Sequence, residues 1–137
     1  MSLPGGSEGV RLLLDTHALL WWFSDDPSLS ASARKLIAQS DSSVFVSSVS
    51  AWEIATKFRL GRLPSATDLV QDFDGYLAAE RFLSLPLSSD HGIRAGSLPG
   101  PLKDPFDRML IAQAVAEKLF VVSNEKIFDQ YAVRRVW

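Results

Sequence analysis

The sequence contains no cysteine. That excludes disulfides and thiolate metal sites and suits a chain of the reducing cytoplasm. Histidine is also scarce, with only His17 and His91 present, so a histidine-rich metal centre is not expected. No apolar run is long enough to cross a bilayer, and the chain is not expected to associate with a membrane. The first residues, Met1-Ser2-Leu3-Pro4-Gly5-Gly6-Ser7, lack the basic and apolar regions of a signal peptide. Residues 1–10 are expected to be a flexible lead-in, and residues 11–137 a single domain. Neither sign of charge dominates: the net charge is −2. Bulk nucleic-acid binding, which shows as a basic surplus, is therefore not indicated, although a local basic stripe beside an acidic site is compatible with it.

What remains is a chain of 137 residues, 47% hydrophobic and 22% charged, enough to bury a core without covalent staples. Leu12-Leu13-Leu14 reads as a buried strand ending at Asp15-Thr16. Residues 18–23 read as a helix, and Ser30 caps another running to about Gln39. Val44-Phe45-Val46 is a second strand. Ser50 is expected to open a helix that Gly61 ends, followed by a helix over residues 66–79. Residues 82–85 suggest a third strand and residues 88–97 a short helix. Pro105 starts a helix reaching about Lys118, residues 119–122 form a fourth strand, residues 126–131 a short helix, and residues 133–137 an edge strand. Strands alternate with helices and carry little in-out alternation, so both sheet faces should be covered. The expected fold is α/β, a three-layer α/β/α sandwich around a mostly parallel sheet, with ligands at the carboxyl ends of the strands.

Several acids fall at such ends. Asp15 ends the first strand, Glu53 lies in the first turn after the second, Asp104 and Asp107 open the helix before the fourth, and Glu125 follows the fourth. In a parallel sheet they converge on one rim. Two carboxylates about 4 Å apart repel by roughly 4 kcal/mol at an effective dielectric near 20, so such a site protonates or holds a cation. Oxygen ligands without thiolate suit Mg²⁺ or Mn²⁺, and the chemistry implied is phosphodiester hydrolysis by a metal-activated water. Each acid also has a plain structural reading. Ser50-Ala51-Trp52-Glu53 matches a capping box. Asp104 suits an N-cap, Pro105 the first helical position and Asp107 the third. Glu125 could be an ordinary first-turn acid.

These stretches, taken in order, resemble the motifs of PIN domains. Leu13-Leu14-Asp15-Thr16-His17-Ala18-Leu19-Leu20-Trp21 resembles the opening motif, and Ser48-Val49-Ser50-Ala51-Trp52-Glu53-Ile54 the second. Asp104-Pro105-Phe106-Asp107-Arg108-Met109-Leu110-Ile111-Ala112-Gln113-Ala114 resembles the third, and Val121-Val122-Ser123-Asn124-Glu125 stands in the place of the fourth. Asp-Pro-Phe-Asp-Arg and the terminal Val-Trp favour the VapC-type toxins of toxin–antitoxin pairs. The resemblance implies an endoribonuclease dependent on Mg²⁺ or Mn²⁺, acting on RNA, forming a homodimer and held inactive by a cognate antitoxin. Carried over, Asp15 and Asp107 are the principal metal ligands and Glu53 completes the shell or orients its water. Glu125 stands where the family usually has Asp, which favours one metal over two. Thr16 and Ser123 sit where the family often carries a hydroxyl, implying orienting or phosphate-contact roles, and Asp104 is the reserve ligand should Asp107 not serve.

Lys57 is one turn beyond Glu53 on the same helix face and could reach an RNA phosphate, as could Arg108 beside Asp107. His17 is expected at a partly exposed helix start and His91 on a surface helix. Trp21, Trp22 and Phe23 suit core packing or a dimer interface better than base stacking, and Trp52 is expected in the core. Haloacid-dehalogenase-type phosphatases need a second Asp where His17 stands, and response-regulator receivers need an acid pair at the first strand, which Asp15 lacks. The competing function is a PIN-like interaction module with an impaired site, suggested only by Glu125.

Overall fold

The computed structural model describes residues 9–137. Its sheet is built from β1 (Arg11–Leu14), β2 (Ser43–Ser47), β3 (Leu83–Leu85), β4 (Phe120–Val122) and β5 (Arg134–Val136) in the order β3-β2-β1-β4-β5. All four pairings are parallel. Leu12, Leu13 and Leu14 are fully buried, because successive side chains of the central strand enter opposite halves of the core. Leu12 and Leu14 pack with Val44, Val46, Phe120 and Val122 under α1 (Thr16–Phe23) and α2 (Ala31–Ala38). Leu13 packs with Val121, Leu110, Ile111 and Phe128 under α7 (Pro105–Glu117). That two-sided burial is what a parallel sheet with crossover helices requires, and it gives the expected three layers. Residues 1–8 of the expected lead-in lie outside the described residues. Val10, grouped with that lead-in, is buried in the core, and its carbonyl accepts from Ser43 N at 2.8 Å.

Three local expectations are revised. The helix after β2, α3 (Ser48–Arg59), begins earlier than Ser50: Ser47 is its N-cap, accepting from Val49 N at 3.0 Å. The predicted 66–79 helix is two helices, α4 (Thr67–Gln71) and α5 (Phe73–Ala79), after a 3₁₀ turn at Pro64–Ala66. The break is at Asp72, whose side chain accepts from Gly75 N and caps the second piece, an Asx interaction that competes with the continuous helix. His91, expected on the surface, is buried in α6 (Ser89–Ser97). Its Nδ1 accepts from Ser88 N at 3.1 Å, which leaves Nε2 to donate to Glu117, also at 3.1 Å. No helix among the described residues is long and apolar enough to cross a membrane.

The topology places a site. β1 is central, and the chain winds through β2 and β3 to one side of it and β4 and β5 to the other. Such a switch point leaves a crevice at the strands' carboxyl ends. Asp15 marks it directly, its N–H donating to Val122 O of β4 at 3.1 Å.

Candidate active site

Asp15 follows β1 and is the N-cap of α1. Its Oδ1 accepts from Ala18 N at 2.7 Å, so the carboxylate is held at the rim by the helix it starts. It is only 3% exposed. Burial raises its pKa to about 6, against the opposing pull of the Ser123 hydroxyl, the Ala18 N–H and His17, while the charge of Glu125 raises it further. Ser123 is itself buried directly after β4, and its Oγ also accepts from Glu125 N at 3.0 Å.

Glu53 does not make the capping box that its spacing with Ser50 suggested, because the helix is already capped by Ser47. With the start one turn earlier, Ser50 and Glu53 both lie inside α3 and are buried. Thr16 Oγ1 donates to Glu53 Oε1 at 2.7 Å and lies 3.0 Å from Ser50 Oγ. Since the threonine proton goes to the carboxylate, the Ser50 hydroxyl donates to Thr16. Lys57 Nζ meets the other oxygen, Glu53 Oε2, at 2.6 Å. Ser50 is the site residue that sequence reasoning missed. Its signal was the run Ser47-Ser48-Val49-Ser50, in which Ser50 rather than Ser47 reads as the cap.

Asp104 is the N-cap of α7, as its structural reading required, accepting from Phe106 N at 2.8 Å and Asp107 N at 3.3 Å. Asp107, one turn into the helix, stands differently. Its pKa is pushed up to about 8, first by burial and then by the charges of Asp104, Glu125, Glu53 and Asp15, with no hydrogen bond offsetting them. The five acids are therefore gathered electrostatically, as the parallel sheet implied. Glu125 is half-buried, with Oε1 3.5 Å from His17 Nδ1. His17 in turn stacks on Trp21 at 5.5 Å, and Trp21 meets Trp137 edge-on at 5.9 Å.

Two candidates stand elsewhere. Arg108 spends its guanidinium on backbone: Nε donates to Ala95 O at 3.0 Å, Nη1 to Leu102 O at 2.8 Å and Nη2 to Leu98 O. It ties the 98–104 loop to α6 and α7, and each of its three nitrogens already donates to a backbone carbonyl. Trp52, expected in the core, is 59% exposed. Because Glu53 faces inward, its neighbour is turned about 100° around the helix, and the indole meets Phe106 edge-on at 4.9 Å.

Chemically, the rim offers carboxylate oxygens, two serine hydroxyls and one threonine hydroxyl, with no sulfur, which suits a hard divalent ion. The N-termini of α1, α3 and α7 converge there and favour anions. Among the described residues no three carboxylates or histidines stand as a ready-made metal cage. Two of the acids are held by their own neighbours, Asp15 by Ala18 and Glu53 by Thr16 and Lys57, while Asp107 has no such restraint.

The PIN domain family model matches residues 12–134, and no curated protein sequence matches the chain. Among solved structures, the chain is similar to one in the VapBC2 complex of Rickettsia felis bound to a promoter DNA fragment, at TM-score 0.64 and 16% identity, covering 93% of this chain and 98% of that one. It is similar to one in a toxin–antitoxin complex from Klebsiella pneumoniae, at TM-score 0.64 and 19% identity, covering 92% and 96%. A chain of VapBC-1 from nontypeable Haemophilus influenzae aligns at TM-score 0.62 and 13% identity, covering 93% and 97%. A family match over nearly all of the domain, with acids from the four motif positions gathered at one crevice, has one meaning: the chain belongs to the PIN-domain family.

Proposed function

We propose that this chain is an endoribonuclease toxin of the VapC type, dependent on Mg²⁺ or Mn²⁺, acting in the cytoplasm and silenced by an antitoxin. The observation that carries this reading is the convergence of Asp15, Glu53, Asp104 and Glu125 on Asp107, whose carboxyl is pushed up to about 8 by burial first and then by the charges of those four acids. A fold does not retain such repulsion for stability, and perturbed acids in a crevice are characteristic of functional sites. Asp15, Asp107 and Glu53 would hold the ion, with Glu125 at its margin. When bound, a divalent ion neutralises phosphate charge and acidifies water.

The chain's own residues do the positioning. Thr16 fixes one oxygen of Glu53, and Ser50 fixes the Thr16 hydroxyl. Ser123 restrains both Asp15 and the turn to Glu125. Lys57 is held at 2.6 Å by Glu53, which balances that carboxylate's charge before RNA arrives and places an ammonium beside the path of a phosphate. Asp107, with no side-chain hydrogen bond from a donor among the described residues, closes the set. The antitoxin and a second copy of the chain are the protein partners this reading carries. A groove of about 410 Å³ beside His17, lined by Leu20, Trp21, Phe23, Leu63, Leu69 and Tyr76, offers a seat for an apolar partner segment.

One observation favours a second reading, an interaction module with weakened chemistry: both oxygens of Glu53 are already engaged, and no closed cage stands among the described residues. Cleavage of a mixed RNA pool by the purified protein, with Mg²⁺ or Mn²⁺ against EDTA and alongside Asp15→Asn, separates the two. Metal-dependent cleavage lost in the variant supports the nuclease, whereas intact RNA under every condition supports the module.

A further inference from the structure

We infer that Trp52 is a nucleobase-stacking residue that seats the nucleotide flanking the scissile phosphate, an inference that rests on the nuclease reading of the neighbouring acids. Large aromatics are normally covered, and the other three tryptophans, Trp21, Trp22 and Trp137, are partly buried against the core. Trp52 alone presents most of its surface to solvent, at 59%.

Its place is specific. Trp52 immediately precedes Glu53, and Phe106, its edge-on partner at 4.9 Å, immediately precedes Asp107. The aromatic pair therefore joins the second turn of α3 to the first turn of α7, next to two of the acids in the chain itself. Consecutive Cα atoms are about 3.8 Å apart, so although the indole faces outward while Glu53 faces inward, a strand whose phosphate reaches the acids passes close to the indole. The T-shaped contact with Phe106 restrains the indole's orientation, and more than half of its surface is left for a ligand.

The surroundings favour RNA over an apolar protein surface. Arg59 lies two turns from Trp52 on the same side of α3, about 10 Å along the axis, and Arg62 follows just beyond the helix. Both are exposed, and neither is in an ion pair among the described residues. An exposed aromatic with an arginine two turns on along the same face and a second just past the helix is a combination that suits a single strand: stacking on the base and attraction to the backbone. Stacking tolerates any base, so this contact sets where the strand lies more than which sequence is cut.

The test uses a short single-stranded RNA with wild type, Trp52→Ala and Trp52→Tyr, reading KM and kcat separately. Binding to an Asp107→Asn background is followed by tryptophan fluorescence, with Trp52→Phe as the silent control. The expected result is a KM raised at least about fivefold in Trp52→Ala, with kcat little changed and recovery in Trp52→Tyr. RNA should quench fluorescence only where Trp52 is present. Unchanged KM in Trp52→Ala with an active wild type would overturn the inference and leave the nuclease standing. If wild type cleaves nothing, the nuclease reading fails, and the fluorescence decides alone: quenching specific to Trp52 sustains the stacking role, and none overturns it. A dimeric wild type made monomeric by Trp52→Ala in light scattering would also overturn it, by assigning the indole to a protein contact.

Discussion

Thr16 Oγ1 donates to Glu53 Oε1 across 2.7 Å, joining the residue after the first-strand acid to the acid of the third helix. Both groups are buried, so the bond cannot be exchanged for water when it is lost. Thr16→Val keeps the shape and removes the donor, leaving the Ser50 hydroxyl without its acceptor as well. The expected cost is about 1–3 kcal/mol of stability, read as a fall of several degrees in Tm, with reduced RNA cleavage. Thr16→Ser should restore both. Activity unchanged in Thr16→Val would mean that the orientation of Glu53 has no part in the chemistry.

Asp15 and Asp107 give the metal-free protein a defined pH response. An unfolded Asp loses its proton near 3.9, whereas in the fold Asp15 does so near 6 and Asp107 near 8. Between about pH 4 and pH 8 the native state therefore binds more protons than the unfolded one. The contribution of these groups to stability is greatest below pH 4 and declines as pH rises through 6 and then 8. Thermal unfolding in EDTA should show this decline, and Asp107→Asn should flatten its upper part and raise Tm at pH 8 while abolishing cleavage. A decline of the same size in Asp107→Asn would sink the assignment.

A divalent ion competes with those protons. Mg²⁺ or Mn²⁺ should raise Tm more at pH 8 than at pH 5.5, because at the lower pH the carboxyls of Asp107 and, in part, Asp15 are protonated. Titration calorimetry at both values, each with Asp15→Asn as control, checks this. Equal affinity at the two pH values would place the ion away from these acids.

The fold was legible in the sequence because the strands are short uninterrupted apolar runs and the helices are punctuated by Ser30 and Asp104, each of which caps as expected. The acids were legible because a parallel sheet brings strand ends together whatever their separation along the chain. Local geometry was less so. Ser47 and Ser50 are equally good caps on paper, and only the burial of Ser50 against Thr16 decides between them. That three-residue difference turns Glu53 inward and Trp52 outward. Arg108 was less legible for a related reason: adjacency to Asp107 in sequence puts it on another side of the helix, where the carbonyls of Ala95 in α6 and of Leu98 and Leu102 in the loop after it take the guanidinium.

The arginine's role is open to direct measurement. Arg108→Ala leaves the carbonyls of Ala95, Leu98 and Leu102 without their donor, and loss of a charged hydrogen-bonding group of this kind costs about 1.5–3 kcal/mol per bond at most. A marked fall in Tm is expected. Arg108→Lys should recover little of it, because an ammonium cannot reproduce the planar fork. The salt dependence of RNA binding, which counts phosphates neutralised, should stay as in wild type for whatever fraction remains folded. A shallower salt slope with unchanged Tm would return Arg108 to the RNA interface.

Glu125 tests how many ions the site needs. Its Oε1 stands beside His17 at 3.5 Å, half-buried at the margin of the rim, whereas Asp15 and Glu53 are buried. If one ion suffices, held by Asp15, Asp107 and Glu53, then Glu125→Ala should lower cleavage by far less than Asp15→Asn does. It should also lower the pKa of Asp107, because a repelling charge is removed, shifting the upper part of the metal-free stability decline to lower pH. Glu125→Asp shortens the side chain to the length usual in the family. It should preserve or increase activity, since a shorter carboxylate at the mouth of β4 is withdrawn from His17 toward the acids. Complete loss of cleavage in Glu125→Ala, with an unaltered fold, would instead make Glu125 an essential ligand and require a second ion.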